Sequence, residues 1–178
     1  MKKFGLQVLG LILTLSLTLS AKTQSSGSKH FEERINREVY HELVMLPQLT
    51  IFDNLAYKVD GRTVTLLGEV RTPFLKGAAA DAVKRIEGVE YVKNEIAVLP
   101  LSPNDDRIRR QVARALFNDS RLFHYSLGSL PPIHIIVDGG HVSLEGVVNN
   151  QGDKNAAGIR ANGVPGVFSV QNNLKVEN

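Results

Sequence analysis

The feature that most constrains this chain is a stretch it uses twice. Residues 59–70 read V-D-G-R-T-V-T-L-L-G-E-V, and residues 137–148 read V-D-G-G-H-V-S-L-E-G-V-V. The copies stay in step to residues 98 and 176 at an offset of 78, with 15 identities in 40 ungapped positions. In each, Asp60-Gly61 or Asp138-Gly139 supplies a residue that tolerates positive φ where a hairpin must reverse. Val64, Leu66 and Gly68, or Val142, Leu144 and Gly146, then occupy alternate positions, which gives a strand one buried and one wetter face. A glycine inside a strand predicts a bulge or a close backbone approach at Gly68 and Gly146.

Around this core the pattern predicts an α+β unit made twice. Ile35, Val39, Leu43 and Leu46 share one face of a helix over 31–46 that Pro47 ends. Strands over 54–59 and 63–70 follow, then a helix over 73–86 with Pro73 in its first turn and Gly88 beyond it. Val92, Ile96 and Val98 lie on one final strand. Domain 1 thus covers 31–99, residues 100–104 form a linker, and domain 2 covers 105–176. Arg34-Ile35-x-Arg37-x-Val39 recurs as Arg107-Ile108-x-Arg110-x-Val112 on a helix over 105–118, with Asn104 or Asp105 as its cap. That recurrence has an offset of 73, so the second copy holds an insertion, within L-F-H-Y-S-L-G-S-L-P-P-I. A helix over 150–162 and a strand over 167–176 complete it. Gly158 weakens this helix and predicts a shorter or more mobile element, or a close approach that requires glycine. Units of roughly 70 residues are marginal alone, so the two are expected to pack together.

Met1-Lys2-Lys3 precedes an uncharged segment through Ala21, which reads as a signal peptide over 1–21 followed by a flexible leader over 22–30. An uncleaved anchor helix is the alternative reading. Cysteine is absent, which removes disulfides, thiol chemistry and lipidation through cysteine. Removing Lys2 and Lys3 leaves 19 basic against 18 acidic residues, so the pI of 9.2 makes no global case for nucleic acid.

The ordered set V-[ND]-G-x-x-V-x-L-x-G-x-V, an Ala-rich helix, then G-V-x-x-V-x-N resembles the BON domain. It runs from Val59 to Val98 with Gly61, Gly68, Gly88 and Asn94, and from Val137 to Val176 with Gly139, Gly146, Gly166 and Asn172. The arrangement resembles tandem BON exported proteins of the osmotically inducible periplasmic protein Y family. That resemblance implies an αββαβ unit, a periplasmic role in envelope integrity or osmotic stress, and phospholipid binding in some members. It implies no catalysis. Lipoprotein members carry a cysteine that this chain lacks, so their anchoring does not transfer.

The residues themselves agree on the absence of chemistry. The five histidines are scattered, with neither H-x-x-H nor H-E-x-x-H spacing, and suggest no metal or cofactor. Asp60 and Asp138 recur as turn residues, and Asn94 and Asn172 suit backbone-bonding roles. Gly163-x-x-Gly166 has the letters of a nucleic-acid-clamping loop but does not join two helices. Two surfaces remain as candidates for anionic lipid or an envelope protein. Arg107, Arg110 and Arg114 share a helix face that is either simply solvated or phosphate-binding, and Phe123, Tyr125, Leu127 and Leu130 fill the insertion, serving core filling or interdomain packing or, if exposed, an apolar patch. The reading is a non-enzymatic exported envelope protein that binds anionic phospholipid, or alternatively a protein-interaction or chaperone-like stress module.

Overall fold

The computed structural model describes the main chain of residues 20–177. The expected signal peptide lies almost wholly outside those residues. Helix α1 spans Ser20–Val44, so residues 22–30 continue its backbone where a flexible leader was expected. The first hairpin joins β1, Asn54–Asp60, to β2, Thr63–Val70, in the antiparallel register Asp60↔Thr63 and Tyr57↔Leu66. Helix α2, Pro73–Lys84, is capped by Thr72, whose Oγ1 accepts from Leu75 N at 3.3 Å. Strands β3, Tyr91–Asn94, and β4, Ala97–Val98, then both run parallel to β2.

The second unit repeats this order. It comprises α3, Pro103–Phe117; a 3-10 turn, Phe123–Ser126; β5, Ile133–Asp138; β6, His141–Val148; α4, Gln151–Asn162; β7, Ser169–Asn172; and β8, Lys175–Val176. The helices bury apolar stripes on one sheet face in each unit. Ile35, Val39, Val64, Leu66 and Leu75 make one core, and Ile108, Val112, Leu116, Ile135 and Leu144 the other.

Three expectations need correction. The last strand of each unit is broken in two. Asn94 Oδ1 accepts from Ile96 N at 3.3 Å and Asn172 Oδ1 from Leu174 N at 3.4 Å, which turns the chain and drives Ile96 and Leu174 into the cores. The same asparagines donate through Nδ2 to Lys76 O and Lys154 O, tying strand to helix. The cap of α3 is Ser102, not Asn104 or Asp105, because Pro103 takes the first helical position. Finally, α4 is as long as α2, at 12 residues each. Gly158 serves a close approach within its own domain. A Cβ there would lie 2.9 Å from Asn172 Nδ2.

The domains meet through the loop before β1. Ile51 and Phe52 pack against the second core, Ile51 O accepts from Ile135 N at 2.7 Å, and Asp53 O meets His134 Nδ1 at 2.6 Å. The Asp53 carboxylate is buried and accepts from Thr50 Oγ1 and from Arg71 N, which fixes the loop to the end of β2. Burial holds the His134 imidazole below the ordinary histidine value of 6.5, outweighing Asp53 and the facing Glu145, which pull it upward. The neutral ring donates Nδ1–H to Asp53 O. With the native value depressed, its stabilisation is complete above pH 6.5 and is lost as pH falls through the native value. The stability difference between the wild type and His134→Gln in urea unfolding should therefore be largest above about pH 7 and shrink as pH falls below 6.5. Parallel pH dependence in the two chains would show that His134 is not the acid-sensitive group.

Candidate functional site

The arginine run divides by helical geometry. Arg107, Arg110 and Arg114 are exposed on the outer face of α3, whereas Arg109 is buried. Arg109 Nη1 pairs with Asp106 at 2.7 Å, and Nη2 donates to Val137 O, closing the edge of β5. Arg107 Nη2 donates to Asn104 Oδ1 at 2.7 Å. Among the described residues, neither Arg110 nor Arg114 has a carboxylate within salt-bridge distance.

The insertion does not form one apolar surface. The 3-10 turn brings Leu122 and Tyr125, three residues apart, to the same inward side. Tyr125 is therefore buried, which corrects the expectation of a surface contact. Its hydroxyl donates to Asp153 Oδ2 at 2.7 Å and accepts from Asn149 N at 2.7 Å. Burial, with the Asp153 carboxylate beside it, raises the Tyr125 pKa above the ordinary tyrosine value. Phe123 and Leu127 are exposed, while Leu130 lies in a separate groove between the domains. The four insertion residues thus fall in three places.

The glycines of the repeat also divide. Gly61 and Gly139 sit in open hairpin turns at φ 57° and 56°. Gly68 and Gly146, at φ 101° and 113°, face the carbonyls of Asn54 and Pro132 so closely that any Cβ would collide. Gly88 packs under Phe31 and Arg34, and Gly166 lies against Arg107 and Ile108.

A groove between α3 and α4 stands out when the copies are compared. It has a volume of about 750 Å³ and is lined by Gln111, Arg114 and Ala115 from α3, facing Ile159, Gly163 and Pro165. Arg160 on its wall is fixed by Asp119 at 2.6 Å, and the Asp119 carboxyl is held below its ordinary value by the Arg121 backbone N–H and by Arg160. Ile159 is 72% exposed, and Gln111 Oε1 is buried with no hydrogen-bond partner among the described residues. The corresponding place in domain 1 is smaller, about 390 Å³, and is lined by Glu38, Glu42, Arg85 and Glu87. At the repeat offsets, Gln111, Ala115, Gly163 and Pro165 replace those four charged residues. Truncating charged side chains to alanine, glycine and proline opens the space and removes its glutamates, leaving Asp119, which is paired with Arg160. Sequence reasoning met Gly163 only as a residue beyond the last helix with the letters of a Gly-x-x-Gly loop. The signal it missed was the coordinated loss of charge on two helices that face each other.

Among the described residues there is no cluster able to hold a metal ion, and no helix is long and apolar enough to cross a membrane. The fold defines a tandem of two α+β units, each a short sheet covered by two helices. The BON domain model matches residues 32–100 and 104–178, and the chain belongs to the BON domain family. Comparison with curated proteins yielded no match. Two solved structures of CdsD, described as a structural protein of the type III secretion system of Chlamydia trachomatis, were found. The first, its C-terminal domain, is 12% identical, with a TM-score of 0.28 and coverage of 80% of this chain and 96% of that one. The second is 13% identical, with a TM-score of 0.29 and coverage of 81% and 92%. Likeness at this level carries no structural or functional argument.

Proposed function

We propose that this chain is an exported, non-enzymatic protein-interaction module of the cell envelope, engaged through the α3–α4 groove of its second domain. The carrying observation is the difference between the copies. The same location is small and acid-lined in domain 1, but larger, free of glutamate and open beside Arg114 in domain 2. Ile159 offers an apolar contact and Arg114 a cation, a combination suited to a segment with one apolar and one acidic side chain. The basic and apolar start of the sequence supports export, and the BON tandem supports a periplasmic role in osmotic stress.

Anionic phospholipid is the second reading, favoured by the exposed and unpaired Arg110 and Arg114. Two cations give a weak, salt-sensitive hold, and burial of Tyr125 removes one of the apolar anchors it would use. A photo-crosslinker at position 159 in living cells should yield discrete protein adducts that Arg114→Glu reduces about tenfold, the loss of a ~1.4 kcal/mol contact. Co-sedimentation with anionic liposomes at moderate salt, abolished by R110E/R114E, together with lipid as the only adduct, would replace the protein reading with the lipid one.

A further inference from the structure

An aspartate or asparagine followed by glycine is a place where a protein chain can react with itself, because no Cβ shields the glycine nitrogen from the preceding side-chain carbonyl carbon. Three such pairs occur here, Asp60-Gly61, Asp138-Gly139 and Asn162-Gly163. Two of the three glycine N–H groups are held. Gly139 N donates to Asp105 Oδ2 at 3.1 Å, and Gly163 N donates to Ile159 O at 3.2 Å at the end of α4. Among the described residues Gly61 N–H has no hydrogen-bond partner, since Glu32 stands where domain 2 has Asp105 and makes no bond to the turn.

The two hairpin turns are otherwise matched. Each pair follows a valine, each aspartate is exposed, and the glycines sit at φ 57° and 56° with nothing within 4 Å of an added Cβ. The turns thus share their exposure and their space, and differ in the hydrogen bond on the attacking nitrogen. The buried Asp105 carboxylate acts on that nitrogen twice. It holds the N–H in place, and its negative charge opposes loss of the proton that must leave before the nitrogen can attack.

We infer that Asp60-Gly61 is a site of spontaneous isoaspartate formation, a modification from which Asp105 protects the matching turn of domain 2. Gly61 N gives up its proton and bonds to Asp60 Cγ, a carboxyl oxygen leaves as water, and a five-membered succinimide results. Water then adds to one ring carbonyl and cleaves its bond to that nitrogen. Opening at Cγ returns aspartate, and opening at the former main-chain carbonyl leaves isoaspartate, with no net gain or loss of atoms. In the isoaspartyl form the main chain runs through the former side chain and is one methylene longer, which breaks the pairing Asp60↔Thr63 at the end of β1. The change falls on domain 1 alone and does not rest on the α3–α4 groove or its occupant.

The test incubates the folded full chain in warm, mildly acidic buffer and locates isoaspartate by peptide mapping with electron-transfer fragmentation. Isoaspartate at position 60 should accumulate at least about tenfold faster than at position 138, the factor that one charge-assisted hydrogen bond supplies. In denaturing urea the bond to Asp105 is gone, and the two rates should agree within about twofold. Asp60→Asn and Asp138→Asn give a second reading, because ammonia then replaces water as the leaving group and deamidation shows directly as a change in mass. D60N should deamidate faster than D138N in the folded chain by the same factor. Equal rates at 60 and 138 in the folded chain, in either pair of measurements, would overturn the inference. So would a folded chain inert at both positions that reacts at both in urea, since the hairpin itself and not the free N–H would then control the chemistry.

Discussion

Replacing Gly146 by alanine should cost the second domain about 3–5 kcal/mol, the sum of a strained backbone and a steric clash. At φ 113° an L-residue is strained whatever the space, and the new Cβ would enter the Pro132 carbonyl. That carbonyl also accepts from Val147 N at 3.2 Å, so it cannot swing aside as a flexible side chain can. Gly139→Ala is the matched control. Its φ of 56° lies in the left-handed region, and nothing stands within 4 Å of the added atom, so about 1–2 kcal/mol is expected. Urea unfolding followed by circular dichroism separates the two. Equal losses in G146A and G139A would mean that β6 relaxes and that the close approach does not constrain the fold. Gly68→Ala should reproduce the large effect in domain 1, because Asn54 O occupies the equivalent place.

The second large effect is expected at Asp105. Its buried carboxylate accepts from Gly139 N at 3.1 Å through one oxygen and from Gly140 N at 2.9 Å through the other. The negative charge also lies in the first turn of α3, where the helix dipole favours it. Asp105→Ala strands two donors and should cost about 2–4 kcal/mol. Asp105→Asn should be nearly as damaging, because its amide nitrogen must face one of those N–H groups. Recovery of more than half the loss in D105N would show that shape, not the paired acceptors, holds the turn. Domain 1 offers an internal contrast. Glu32 stands at the matching helix position, and no hydrogen bond joins its carboxylate to Gly61 or Arg62.

These two residues show what kind of information a sequence carries. Gly146 was legible as a close approach, because a glycine recurring inside an alternating strand has few other physical reasons. Asp105 was misread as a cap. Its partners lie at residues 139 and 140, and no local pattern encodes that pairing. Tyr125 stayed open between core and surface for a similar reason. A tyrosine in an insertion rich in turn residues looks like surface, but its hydroxyl has Asp153 as an acceptor inside the fold. In domain 1 the aligned residue is Leu75, buried without a polar partner, so the change from leucine to aspartate and the inserted tyrosine belong together. The groove between α3 and α4 could have been found by comparing helix faces between the copies. Its opening depends on α3 and α4 lying side by side, which periodicity does not state.

The repeat by itself determined the duplication, the element order, the hairpin register and the glycines at which chain must meet chain. Each follows from local rules: a two-residue period, a positive φ, a missing N–H or a missing Cβ. Tertiary structure alone decided which arginine turned inward, which aromatic was buried, and which β edge was closed by the neighbouring domain. Those outcomes depend on distances between segments far apart in sequence. Repeats of one fold can differ there, because a single contact such as Ile51 to Ile135 satisfies one copy and leaves its counterpart open.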